Sequence, residues 1–375
     1  MNVLMVVSWF AEKGKTGEGC FHYEQALYLN KYCSCAIYYP YDRYITNNYE
    51  GGVERDILTF RSKYALSKKI RNRVCMFQAM KYIVEEFNPD IIHGQVATEA
   101  GRFAIMMGMM FHIPVMITEH SAIEASNVRN FPHYYYAKFV YGRSKYNACV
   151  SDAVREGLNE IFPQYEFHTI YNGIDMPEQI EIHTDVREQN CVNIGLVAGF
   201  YSREIKGVQY VLPTIQKMVQ QGYKVHLHVV GGGAYLQEYK DMAGNLGIDA
   251  YCTFYGECEK QRVYEIDLAM DYLISASLFE SFGCAIAEAV MLGKPVVVTK
   301  SGGVESIVNE RNGILVEKRN QQALYEGICW MYEHFTEYDA EKIKVEARNK
   351  FAIKNITEKY MRIYKEICEG NNEYH

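Results

Sequence analysis

Short β-branched and aliphatic runs, each followed by a Gly or Asp turn and then a helical stretch, recur along this chain. Val3–Val7, Ile91–His93, Val115–Thr118 and Ala148–Ser151 read as strands that are apolar on both faces. A strand with no polar face has to be covered by helices on both sides, which is the condition of a parallel sheet in an α/β protein. The alternation stops at a polar stretch, Met176 to Asn190, and then restarts with Asn193–Ala198, Val225–Val230, Tyr251–Tyr255, Tyr272–Ser275 and Val296–Thr299. Two such series imply two Rossmann-like domains facing each other across a cleft. The expected division is 1–177 and 178–354. The helical stretch from about Gln321 to Glu369 is more than the second sheet needs, so residues of about 355–375 are a candidate to cross back to the first domain.

The length of 375 residues fits two domains rather than one, and 49% hydrophobic with 23% charged residues supplies two cores and excludes disorder. The net charge of −7 gives no sign of a nucleic-acid partner. It is unevenly placed: residues 1–175 balance 18 basic against 18 acidic side chains, so the remainder carries all of it. The 11 cysteines contain no C-x-x-C pair, which reads as reduced thiols in a cytoplasmic protein and gives no zinc ligand set. The chain opens on a strand without a basic n-region, and no apolar run approaches the length of a membrane span, so neither a signal peptide nor a transmembrane helix is expected.

The densest chemistry lies in SLFESFGCAIAEAVMLGKPVVVTKSGGVESIV, residues 277–308. Glu280 falls in a loop after a strand. Gly283 opens a helix in which Glu288 is the one charged residue between Cys284 and Leu292. A carboxylate among apolar helical neighbours costs several kcal/mol unless it is paired or hydrogen-bonded. It either caps another loop or accepts ligand hydroxyls. The N–H groups of Phe282, Gly283, Cys284 and Ala285 at the helix start form a natural anion site. A nucleotide diphosphate sugar, an anion with hydroxyls on both sides, fits that layout.

These residues carry a resemblance. Glu280-x7-Glu288 within ES-FG-x-x-x-x-EA, followed by GKPVV and SGG, resembles the retaining glycosyltransferases of family four, bacterial polysaccharide type, which have the GT-B fold. Weaker matches run along nearly the whole chain: TEH at 118–120, VSDAV at 150–154, YNGID at 171–175, VAGF…IKG at 197–207, VVGGG at 229–233 and FYG, ending at Gly256, at 254–256. The resemblance implies that Glu280 bonds the donor sugar, that Glu288 takes the ribose hydroxyls and that Lys206 neutralises the leaving diphosphate. It places His120 against the donor sugar, the Gly14-x-x-Gly17-x-Gly19 loop near the diphosphate, and Asn172 near the hinge. The family's usual Arg before that Lys is replaced here by Phe200, which makes Arg203 a candidate substitute. His93 is a weaker candidate, because Gln95 stands where the family often has a second His.

The implied reaction is transfer of a hexose from a UDP-sugar or another nucleotide sugar to a hydroxyl acceptor. The expected acceptor is a glycan or a lipid-linked saccharide in capsular or exopolysaccharide synthesis. No cofactor is expected, and since Asp-x-Asp occurs nowhere, no metal either. Two alternatives stand beside it: a nicotinamide-dependent oxidoreductase, which lacks an ordered G-x-G-x-x-G with its acidic partner, and a non-catalytic two-lobed sugar-binding protein. Residues 61–74 hold six Lys/Arg beside a stripe of Leu66, Ile70, Val74 and Phe77. They form either a solvated helix or a peripheral contact with the inner face of a membrane. The aromatic run Phe131–Tyr141 is either core or the lining of an acceptor groove.

Overall fold

The computed structural model describes residues 1–10, 20–42, 44–63, 70–124, 126–180 and 186–370. The chain forms two compact units, Met1–Asp175 with Ile353–His375, and Met176–Ala352. No helix among the described residues is long and apolar enough to cross a membrane.

The first unit carries strands β1 (Asn2–Val6), β2 (Ser34–Tyr39), β3 (Tyr49–Glu54), β4 (Ile57–Ser62), β5 (Ile91–Gln95), β6 (Val115–Glu119), β7 (Tyr146–Cys149) and β8 (His168–Thr169). Its helices up to residue 175 are α1 (Cys20–Leu29), α2 (Ile70–Phe87), α3 (Gly101–Phe111), α4 (His133–Tyr141) and α5 (Asp152–Ile161). The sheet order is β3-β4-β2-β1-β5-β6-β7-β8, parallel throughout except for the β3–β4 pair. The strand cores are buried on both faces, Val3 to Val6 at 0% exposure. The β3–β4 hairpin breaks the expected alternation. It turns on Arg55 and Asp56, both at positive φ (47° and 70°), the backbone that a two-residue hairpin loop requires. Arg61, counted above in the basic segment, is buried in β4. It is bonded to Glu54 through Nε and Nη2 at 2.7 and 2.6 Å and to Asp42 through Nη1 at 2.6 Å, so it is a structural ion pair and not a membrane contact. Residues 64–69 lie outside the described residues.

The second unit carries β9 (Val192–Val197), β10 (Val225–Val230), β11 (Cys252–Gly256), β12 (Tyr272–Ser275), β13 (Val296–Thr299) and β14 (Gly313–Val316), with helices α6 (Val208–Gln220), α7 (Leu236–Asn245), α8 (Lys260–Ala269), α9 (Cys284–Met291), α10 (Gln321–His334) and α11 (Ala340–Phe351). The order β11-β10-β9-β12-β13-β14, parallel at every pair, is the doubly wound arrangement with its reversal between β9 and β12. The last helix, α12 (Ile353–Gly370), belongs to the first unit. Ile353 N–H donates to the Ile174 carbonyl at 3.0 Å where the chain re-enters. Tyr364 bonds His93 Nδ1 at 2.7 Å, and Thr118 Oγ1 takes His93 Nε2 at 2.7 Å. His93 is therefore a buried core residue tying two strands to α12, and burial holds its pKa down to about 3.

Candidate active site

An open α/β sheet leaves a crevice at the carboxyl ends of the strands where the order reverses. In the second unit that point lies between β9 and β12, and the segments leaving these strands carry Lys206 and Glu280. Lys206 Nζ donates to Glu280 Oε1 at 2.6 Å, the two side chains 26% and 18% exposed. Backbone geometry places both. Leu278 N–H donates to the Ile205 carbonyl at 2.7 Å. Gly207, at φ +67°, caps α6, and a β-carbon there would run into the Ala276 carbonyl, so the residue after Lys206 has to be glycine. Glu280 is clamped on its other side: its N–H donates to the Ser301 carbonyl and its carbonyl accepts from Gly303 N–H, both at 2.8 Å. The SGG triplet is thus the clamp that sets Glu280.

Glu288 is the fifth residue of α9 and is 16% exposed. Tyr264 Oη donates to its Oε1 at 3.3 Å, and Lys260 Nζ lies 3.8 Å from the same oxygen. These partners sit four residues apart on α8 and so share one face. The carboxylate that looks isolated in sequence is paired in the fold, as a largely buried charge must be. Three residues further along the same face, Asp267 is buried with neither carboxyl oxygen hydrogen-bonded among the described residues. Burial, reinforced by the charge on Glu288, pushes its pKa well above the ordinary value. At the start of α9, Gly283 has φ +96°, and a β-carbon would lie 2.6 Å from Val304 Cγ1. The N–H groups of Cys284 and Ala285 precede the first intrahelical bonds, which Ile286 and Ala287 make to the Gly283 carbonyl at 3.0 Å. Cys284 is exposed, whereas the Phe282 ring is buried edge-on to Phe351 at 5.6 Å, so that side chain serves the core.

In the first unit, the reversal lies between β1 and β5. His120, just past β6, donates from Nε2 to Gln95 Oε1 at 2.6 Å, because a carboxamide oxygen accepts; Nδ1 is then the acceptor nitrogen. Burial lowers its pKa to about 3, so the ring is neutral at ordinary pH. Trp9, Phe21 and His22 surround it at ring distances of 6.1, 5.3 and 5.4 Å. The neighbouring Glu119 is committed to the backbone. Its Oε1 accepts from the N–H groups of His120 and Ser121 at 3.1 and 2.9 Å, and its Oε2 from Ala97 N–H at 3.1 Å and Tyr141 Oη at 2.8 Å. Beside it is a groove of about 260 Å³ lined by Trp9, Glu99, Ser121, Asn127 and His133 among others. Val96, which opens a single π-helical turn over Val96–Ala100, sits at φ +70°, a strained backbone for a β-branched residue.

Three further expected residues lie elsewhere. Arg203 is largely exposed and donates to Glu238 at 2.7 Å, a bond that raises its pKa. Asn172 lines a small cavity with Phe21, Gln25 and Ile353, next to Gly173, where a β-carbon would lie 2.9 Å from the Ile353 Cα. Gly256 ends β11 at φ +73°, its carbonyl accepting from Gly231 N–H at 2.8 Å. Gly14, Gly17 and Gly19 lie outside the described residues.

The pattern described as glycosyl transferases group 1 matches residues 179–350, and that described as glycosyltransferase family 4 matches residues 42–177. The chain belongs to the family-four glycosyltransferases. An uncharacterized glycosyltransferase of Methanocaldococcus jannaschii is 26% identical over 60% of this chain and 62% of its own length. The α-monoglucosyldiacylglycerol synthase of Streptococcus pneumoniae is 26% identical over 61% of this chain and 56% of its own. The chain thus spans less than two thirds of either relative. HepE of Anabaena, solved in complex with UDP-glucose, superposes with a TM-score of 0.73 at 17% identity, covering 98% of this chain and 100% of that one. The two parallel-sheet units are those of the GT-B fold.

Within this glycosyltransferase, the position where the family usually has Arg is closed to a charge. Phe200 is 0% exposed and packs at 5.4 Å against Tyr239. Sequence reasoning missed Lys260 and Tyr264, the partners of Glu288, and it missed that Gln95 holds His120. Their one signal is the spacing of Lys260 and Tyr264 on a helix, which does not say which other helix they face.

Proposed function

We propose that this glycosyltransferase moves a hexose, with retention of anomeric configuration, from a nucleotide diphosphate sugar (a UDP-sugar first) to a hydroxyl of a glycan or lipid-linked saccharide. The observation that carries the reading is the Lys206–Glu280 pair at the switch point, with Glu288 fixed one and a half turns into the helix that follows. Charge grows on the diphosphate as the glycosidic bond breaks, and a preorganised cation beside it stabilises that charge. Lys206 supplies the cation, and the start of α9 adds N–H groups and the positive end of its dipole. These take the place of a divalent ion. Glu280, held by Lys206, orients sugar hydroxyls rather than attacking carbon, so the acceptor enters from the face the diphosphate leaves. Glu288 receives the ribose hydroxyls, and neutral His120 offers Nδ1 to a sugar hydroxyl. The UDP-glucose bound to HepE supports the donor class, and the diacylglycerol-linked product named for the pneumococcal relative supports a lipid-linked acceptor.

The test is donor hydrolysis in EDTA with UDP-, GDP- and ADP-glucose, the released sugar followed by proton NMR before it mutarotates. Turnover fastest on UDP-glucose that yields the α-anomer first is expected. First release of the β-anomer overturns retention, and turnover that requires added Mn²⁺ or Mg²⁺ overturns the metal-free reading.

A further inference from the structure

The aromatic run at 131–141 is core at Ala137, Val140 and Tyr141, and its His133 lines the groove beside Glu119, but other aromatic side chains of the run are exposed. Phe131 is 82% exposed, Tyr135 61% and Phe139 42%. Tyr135 and Phe139, four residues apart, lie in one line along α4, and Phe131, in the turn before the helix, extends it by packing edge-on to Tyr135 at 6.0 Å. The line continues onto neighbouring helices. Arg143 lies 5.2 Å over the Phe139 ring and donates from Nη1 to Met109 Sδ at 3.4 Å. Met109 and Met110, exposed at the end of α3, lead to Phe111, which stacks at 6.4 Å on the exposed Phe77 of α2. Monomeric proteins rarely leave so continuous an apolar strip in water without a partner for it.

The charge around the strip selects the partner. Residues 131–151 contain Lys138, Arg143 and Lys145 and no acidic residue, whereas Arg129 is paired with Glu160 at 3.2 Å. Lys138 is exposed between Tyr135 and Phe139, and Arg143 rests its guanidinium on an aromatic ring, so apolar and cationic atoms share one surface. A second copy of the chain, meeting this one about a two-fold axis, would set the strip against itself and bring Lys138 and Arg143 onto their own like charges. A sheet of anionic headgroups over acyl chains answers both features, with aromatic rings at the boundary and basic side chains on the phosphates.

We propose that the α4 face, with the end of α3, seats this protein on an anionic lipid surface. The contact does not depend on the donor chemistry, and its test needs no substrate. The full chain is sedimented with vesicles of phosphatidylcholine containing 30 mol% phosphatidylglycerol and, separately, with vesicles of phosphatidylcholine only. Binding to the anionic vesicles, weakened by salt, is expected. The triple change Phe131→Ser, Tyr135→Ser and Phe139→Ser should lower the partition coefficient about 100-fold, and Lys138→Glu with Arg143→Glu about tenfold or more. All five positions are exposed, so melting temperatures within a few degrees of wild type are expected; Phe131→Ser by itself, with an intermediate loss, guards against misfolding of the triple variant. Absence of vesicle binding by the wild type overturns the proposal, as does unchanged binding by the triple variant. A dimer in light scattering that the triple variant disperses, without vesicle binding, would assign the face to a second copy instead.

Discussion

The carboxyl ends of the two sheets occupy equivalent places in two Rossmann-like units, yet they are built from opposite electrostatics. In the second unit, Lys206 meets Glu280 at 2.6 Å and Lys260 lies 3.8 Å from Glu288: charge held by charge. In the first, His120, Gln95, His22 and Trp9 form a nest with no formal charge, and His22 has neither ring nitrogen hydrogen-bonded among the described residues. A site that meets a diphosphate needs fixed positive charge at the moment the bond breaks. A site that meets neutral hydroxyls needs shape and uncharged donors and acceptors, because a charge kept there would cost desolvation without a counter-charge. The same sheet topology supports both, since the topology places the loops and the loops carry the chemistry.

The largest expected effect breaks the charged half of this comparison. Lys206→Ala removes the cation on which the leaving group would rest, and should lower kcat by about 10²–10³, the scale seen when one preorganised donor is deleted from an anionic site. Donor affinity should fall less, because the charge is greater in the transition state than in the bound donor. Steady-state kinetics with the best nucleotide sugar measures this. A kcat near wild type would mean that Lys206 is only the counter-ion of Glu280.

That half was also the more legible in sequence. Glu288 stood out because a charge among apolar residues is costly and therefore conspicuous, whereas Glu280 and Lys206 were picked out by the resemblance to the family-four motifs around them. The parallel sheets were readable for a related reason: strands buried on both faces lose their polar positions. The neutral nest gave no such signal, since Gln95 and His22 look like ordinary polar residues until the strands bring them beside His120. The β3–β4 hairpin was unreadable because Arg55 and Asp56 adopt positive φ without the glycine that would mark the turn. The partners of Glu288 were hidden by distance in sequence, as contacts between helices are.

The second expected effect concerns the neutral half. His93 and His120 are held down to about 3 by burial, and His22 is held well below its ordinary value. The folded state therefore binds fewer protons than the unfolded chain between pH 6.5 and about 3. Stability is complete above the unfolded pKa and is lost as pH falls through this window. One such imidazole costs about 3 kcal/mol between pH 6.5 and 4. Denaturant midpoints taken across that range should fall steeply, and His93→Gln should flatten the slope. An unchanged slope in the variant would mean that other groups drive acid unfolding.

The smallest effect sharpens the comparison at its one ambiguous residue. Arg203 follows Phe200, where the family usually has the second cation, and its sequence position makes it the natural substitute. The fold points it elsewhere: the guanidinium is 67% exposed and donates to Glu238 on α7. Phe200, buried against Tyr239, closes the inward route, so on the proposed reading Lys206 acts on the diphosphate without that neighbour. Exposed ion pairs contribute between zero and about 1 kcal/mol, so Arg203→Ala should shift the melting temperature by no more than a degree or two. Its kcat should stay within about twofold of wild type, far from the loss expected for Lys206→Ala. The informative measurement is the double variant. If Arg203 takes no part, Lys206→Ala with Arg203→Ala should match Lys206→Ala in kcat, the two changes adding because they share no partner. A further loss of tenfold or more in the double variant would show that Arg203 leaves Glu238 to reach the diphosphate when the donor binds, and the charged site would then have two cations instead of one.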